Sequence, residues 1–146
     1  DMALFRFTRA IIEGKPIPVY NHGRHTRDFT YVDDAVRAVL AALDRPAQPD
    51  GAFDPARPNE ESSSAPWRIY NVGCGQPVPV MRYIELIEQC VGRKAVLEML
   101  PAQPGDVSDT FADTAPLERE LGVRPAIGVE EGVRRFVEWF RDYYRI

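Results

Sequence analysis

The chain is 146 residues long, with 45% hydrophobic, 10% aromatic and 27% charged residues, a balance that excludes a disordered or fibrous protein. Its 18 Lys and Arg against 22 Asp and Glu leave a net charge of −4, so no nucleic-acid partner is expected. No apolar run approaches the roughly 20 residues of a membrane span, no leader is legible, and Cys74 and Cys90 make no disulfide framework, which points to a cytoplasmic protein without a membrane partner.

The chain opens at Asp1 rather than Met and runs straight into an apolar helical pattern, so it reads as a piece of something longer. Leu4, Phe5, Phe7, Ala10 and Ile11 recur at helical spacing over residues 2–12, and Gly14 is placed to stop that helix. Pro16-Ile17-Pro18-Val19-Tyr20 predicts a short strand whose prolines suit an edge. Asn21-His22-Gly23-Arg24 is turn chemistry, and Phe29-Thr30-Tyr31-Val32 predicts a second strand. Asp33 or Asp34 is expected to cap a helix over 35–43. Residues 46–66 hold Pro46, Pro49, Pro55, Pro58, Pro66 and three serines, which predicts a flexible surface insert. Beyond it come a strand over 67–72 ending at Gly73, a helix over 80–91 closed by Gly92, and a strand over 96–100. A helix over 114–121 ends at Gly122, and the last helix carries Val129, Val133, Phe136, Val137, Phe140, Tyr143 and Tyr144 on one face. The order is mixed α/β, with no repeat and no internal boundary, so residues 1–146 are expected to form a single unit.

Gly73-Cys74-Gly75 follows a strand and precedes a helix, as a phosphate loop would, but Val78 stands where a third glycine belongs and no acidic residue closes the motif. A plain strand-to-helix turn is the reading. The cysteines have no neighbouring histidine and read as buried thiols rather than metal ligands. His22 and His25 read as exposed loop histidines beside two arginines, and neither is nominated as a base. Arg27 at a strand entrance is able to fork onto a phosphate or carboxylate, or to pair locally with Asp28. Gln103-Pro104-Gly105-Asp106-Val107 is turn-forming in any protein, and Tyr20 is either a base-stacking ring or part of the core.

Together these segments are more specific than any one alone. Asp1 to Phe5, Glu13 to Ile17, Arg27-Asp28-Phe29-Thr30-Tyr31-Val32-Asp33-Asp34, Tyr70-Asn71-Val72-Gly73, Gln103 to Val107, Ala112-Asp113-Thr114 and the run from Val129 to Trp139 cover nearly the whole chain in order. In them the chain resembles the C-terminal part of the extended short-chain dehydrogenase/reductases that act on nucleotide sugars. Among these it looks most like the NAD-dependent UDP-glucuronate 4-epimerases.

The resemblance implies an α/β fold: the C-terminal substrate-binding part of an extended Rossmann-type enzyme, lacking the N-terminal NAD-binding sheet. It implies that Arg27 binds the substrate diphosphate and that Pro18, Val19 and Tyr20 lie along the uracil through their backbone. Asp1 and Met2 would approach the same nucleotide, and the turn from Gln103 to Asp106 would close over ribose and phosphate. Many relatives carry arginine where Gln103 stands, so one phosphate charge partner is absent here. The family's chemistry also needs a glycine-rich NAD loop and a Tyr-x-x-x-Lys pair. None of the tyrosines has a lysine four residues on, Lys15 and Lys94 being the only lysines, so this chain offers no catalytic, cofactor-binding or metal-binding residue. In the parent enzyme, NAD bound by the preceding half would take hydride from sugar C4 and return it to the opposite face, interconverting UDP-glucuronate and UDP-galacturonate. The chain alone is expected to be inactive and either to self-associate or to rearrange its packing, its strand near Ile69 to Val72 having lost its sheet. The parent is expected to be a dimer serving polysaccharide biosynthesis. A nucleotide-sugar 4,6-dehydratase, a UDP-glucuronate decarboxylase and a non-catalytic nucleotide-sugar-binding module remain open as alternatives.

Overall fold

The structure, a computed structural model, describes residues 2–146. Helix α1 (Ala3–Glu13) buries Phe7, Thr8 and Ile11 along one face. It stops at Gly14, whose φ of 72° is the left-handed turn that glycine adopts without a Cβ penalty and whose N–H closes on the last helical carbonyls. Strand β1 (Pro16–Val19) then alternates, turning Ile17 and Val19 inward. It pairs in parallel with strand β4 (Val96–Met99), with Pro16 opposite Val96 and Val19 opposite Met99. A two-stranded sheet consists of edges, where a proline without a donor is tolerated. Strand β2 (Thr26–Arg27) pairs antiparallel with strand β3 (Val78–Pro79), which leads directly into helix α3 (Val80–Val91).

Helices α1, α3 and α5 (Val129–Tyr144) pack with the β1–β4 pair around Phe7, Ile11, Ile17, Val19, Ile84, Ile87, Val133 and Val137. A smaller cluster joins Ala38 of helix α2 (Val32–Asp44) to Leu117 and Leu121 of helix α4 (Ala115–Leu121), with Tyr70 and Val72 packed against it. The mixed α/β order is therefore as expected.

Three local expectations are corrected. The β pairing falls at Thr26–Arg27 rather than over 29–32, because Phe29 turns inward to stack on Tyr83, with ring centroids 4.1 Å apart, and Val32 already opens α2. Neither Asp33 nor Asp34 caps α2: Tyr31 occupies the cap, and Asp34 is fully buried one turn further in. Residues 67–72 form no strand, since their one ladder contact is the bridge between Ser62 and Arg68 and no neighbouring strand lies beside them among the described residues. Residues 46–66 hold no helix or strand and run through local turns: Asp50, Asp54 and Asn59 each accept the N–H two residues on, and buried Ser62 donates to Asp50.

Candidate functional site

Strand β2 and the segment after β4 are stitched together. Thr26 N–H donates to the Ser108 carbonyl at 3.0 Å, and Thr26 Oγ1 donates to Asp109 Oδ1 at 2.5 Å. This brings Arg27 over the 103–108 turn. Its Nη1 donates to the carbonyls of Thr26 and Ser108 at 2.8 and 3.0 Å, and its Nη2 to Asp106 Oδ1 at 3.0 Å. Asp106 N–H in turn donates to the Gln103 carbonyl at 3.1 Å, closing the turn. Arg27 thus meets a turn some 80 residues further along the chain, through Asp106, whose N–H is held by the Gln103 carbonyl. The guanidinium is three-quarters buried yet reaches the surface beside Asp106, so one planar fork is held in place at an edge open to solvent.

Strand β1 ends beside the same segment: Leu100 N–H donates to the Val19 carbonyl at 2.9 Å, and His22 N–H to the Leu100 carbonyl at 3.0 Å. Val19 is buried, so any ligand would meet its backbone, whereas Pro18 and Tyr20 are half-buried. Met2 stands apart. It is exposed and lines an open apolar cavity of about 300 Å³ with Leu4, Phe5, Phe29, Tyr83 and Phe136, which shares no lining residue with Arg27, Asp106 or Gln103. The expected role of Asp1 falls outside the described residues.

Asp28 does not pair with Arg27. Its carboxylate accepts the N–H groups of Cys74 at 2.9 Å and of Gly75 and Ala112 at 3.1 Å each. The Cys74 and Gly75 amides are therefore spent on a carboxylate of the same chain rather than left to cradle a dinucleotide phosphate. Gly73 makes this approach possible, since a Cβ there would meet Ala112 Cβ at 2.6 Å and Asp28 Oδ2 at 2.7 Å. With no Tyr-x-x-x-Lys in the sequence either, the described residues do not fit NAD. Among them no group of three or more His, Cys, Asp or Glu is placed to hold a metal.

Asp34 is a second carboxylate acceptor, and it is fully buried. Burial works to raise its carboxyl, but the Ile127 and Ala126 N–H groups and the Arg37 guanidinium outweigh burial and hold it below the usual aspartate range. The thiols are half-buried, and burial, reinforced by Asp28 and Asp34, pushes Cys74 up and keeps it protonated. His25 corrects an expectation: it is 6% exposed, not a surface loop histidine, and its Nε2 lies 3.7 Å from Asp106 Oδ2. Sequence spacing carries no signal for that contact, because the two residues meet only after β1 and β4 pair.

Comparison with known proteins gives the family of the chain. The sequence profile of the NAD dependent epimerase/dehydratase family matches residues 1–73. Protein CapI of Staphylococcus aureus is 43% identical over 99% of the chain, and a probable UDP-glucuronate 4-epimerase of Rhizobium meliloti (strain 1021) is 46% identical over 99%. The chain spans 43% of the length of each of these relatives. A crystal structure of UDP-glucuronic acid 4-epimerase from Bacillus cereus, in complex with UDP-glucuronic acid and NAD, superposes with a TM-score of 0.78 at 26% identity. That superposition covers 99% of this chain and 41% of the other. No helix among the described residues is long and apolar enough to cross a membrane. The chain belongs to the NAD dependent epimerase/dehydratase family.

Proposed function

We propose that the chain is the nucleotide-sugar-binding part of an NAD-dependent UDP-glucuronate 4-epimerase, which interconverts UDP-glucuronate and UDP-galacturonate. The observation that carries this reading is the Arg27–Asp106 cluster beside the end of β1, in a chain 46% identical to a relative named as a probable UDP-glucuronate 4-epimerase. Arg27, fixed by two carbonyls, offers a planar donor fork of the kind that suits a diphosphate. The backbone of Pro18, Val19 and Tyr20 runs along the uracil, Gln103 and Asp106 close over ribose and phosphate, and Met2 approaches the nucleotide from the end of α1. Holding the diphosphate leaves the sugar free to present either face, so these residues contribute positioning and not proton transfer. Dinucleotide chemistry belongs to the part of the whole protein outside these residues.

The same reading gives the apolar stripe of α2 a role. Val32, Val36, Val39, Leu40 and Leu43 are all at least 49% exposed, a face that the remaining length of the whole protein would cover. Residues 46–66 act as a flexible insert on a single unit spanning 1–146. The whole protein works in the cytoplasm as a dimer and supplies galacturonate units for polysaccharide synthesis. Incubating the full-length protein with UDP-glucuronate and identifying products by NMR tests the reaction. UDP-galacturonate is expected; a UDP-pentose with released carbon dioxide, or a 4-keto-6-deoxy sugar from a nucleotide hexose, contradicts it.

A further inference from the structure

Arg27 spends only part of its donor set on its own chain. Nη1 donates to the Thr26 and Ser108 carbonyls and Nη2 to Asp106 Oδ1. Nε–H and the second N–H of Nη2 have no partner among the described residues and remain open to an anion. Where those two donors point depends on what holds the carbonyls of Thr26 and Ser108.

On one side of β2, Thr26 faces Pro79, which has no N–H to give. On the other side it runs parallel to the segment after β4, bridged to Asp109. There Thr26 N–H donates to the Ser108 carbonyl at 3.0 Å, and the Thr26 carbonyl accepts the Thr110 N–H at 3.3 Å. The shortest bond of this seam joins two side chains, Thr26 Oγ1 donating to Asp109 Oδ1 at 2.5 Å. Asp109 is exposed, and Thr26 is the one hydrogen-bond partner of its carboxylate among the described residues.

We propose, on the placement of the diphosphate at Arg27 given above, that Asp109 is a positioning residue for nucleotide-sugar binding. By holding Thr26 Oγ1 it keeps the Thr26 and Ser108 carbonyls seated on Arg27 Nη1, so that Nε–H and the remaining Nη2 donor stay presented to the diphosphate. A fork fixed before the ligand arrives loses less side-chain freedom on binding. The same bond ties the base of the loop carrying Gln103 and Asp106 to β2, so it sets both walls of the site. An exposed carboxylate next to an anion site otherwise weakens binding, because like charges repel. The two effects have opposite signs. Removing Asp109 tightens binding if its charge alone matters, and weakens binding if its hold on Thr26 dominates.

The test is steady-state kinetics of the full-length protein with UDP-glucuronate, together with calorimetric titration by UDP. Asp109→Ala and Thr26→Val, which trades the hydroxyl for a methyl at nearly constant shape, are each expected to raise KM and the UDP Kd about threefold to fivefold. That is the scale of one lost hydrogen bond to a charged group, and kcat should stay within twofold of wild type. Asp109→Asn keeps an acceptor and Thr26→Ser keeps the hydroxyl, and both are expected to restore KM and Kd to within twofold of wild type. Added to Arg27→Met, Asp109→Ala is expected to have no further effect, since no fork is left to hold. The two positions are read separately, so either variant found folded by circular dichroism decides. UDP binding by Asp109→Ala as tight as wild type or tighter, a KM rise shared by Asp109→Asn, or an undiminished penalty in the Arg27→Met background overturns the proposal. An Arg27→Met protein with wild-type KM and Kd contradicts the diphosphate reading itself.

Discussion

Asp28 and Asp34 flank the Phe29–Val32 segment and do the same work: each carboxylate gathers backbone N–H groups from segments far along the chain. Charge-assisted bonds of this kind matter most when one partner is removed, because buried donors are then left unsatisfied. Asp34→Ala strands the Ala126 and Ile127 amides and is expected to cost about 2–4 kcal/mol in denaturant unfolding. Its pH dependence has a definite sign. Because the folded state holds the Asp34 carboxyl below its unfolded value near 4, its contribution is complete at neutral pH. It is lost as pH falls through the aspartate range toward the lower folded value. Asp34→Asn should therefore show a flatter fall of stability with acid than wild type, measured by urea unfolding across that range; an equally steep fall would count against the assignment. Neither aspartate was legible as an acceptor of distant amides. In sequence both look like surface acids, and Asp34 looks like a helix cap, because their partners come from segments joined only in three dimensions.

The elements legible in sequence are those whose period is enforced by their own packing. Helices α1, α3 and α5 each present one apolar stripe to the same core, so their spacing places them, and Gly14 and Gly92 mark the ends of α1 and α3. Strands fared differently, because a strand is defined by its neighbour. Residues 67–72 have strand-forming side chains but no partner among the described residues, and the short β2 owes its position to β3 rather than to its own composition. Helix α2 shows the same dependence from the other side: Ala38 and Asp34 are buried, while Val32, Val36, Val39, Leu40 and Leu43 face solvent. A stripe of that length on an isolated chain is a ready association surface. The 146-residue chain expressed alone is expected to self-associate in sedimentation velocity, and Val36→Glu with Leu40→Glu to reduce association without loss of helical circular dichroism. A monomeric wild-type chain with the same helix content would contradict this.

At the scale of the whole molecule, the candidate site is a seam. One wall comes from the end of β1 and from β2, and the other from the loop following β4; the β1–β4 pairing and the Thr26 bonds to Ser108 and Asp109 close it. The resemblance named Arg27 and Asp106 separately, and the seam brings them into contact. It also adds His25, which composition had assigned to the surface. The central claim is that Arg27 anchors the substrate diphosphate and takes no part in bond making. Steady-state kinetics of the full-length protein with Arg27→Met, run with UDP-glucuronate and again with UDP-galacturonate, tests this most directly. KM is expected to rise at least about tenfold in both directions, the loss of a charge-assisted bidentate contact, with kcat within a few-fold of wild type. An unchanged KM with a collapsed kcat would contradict it.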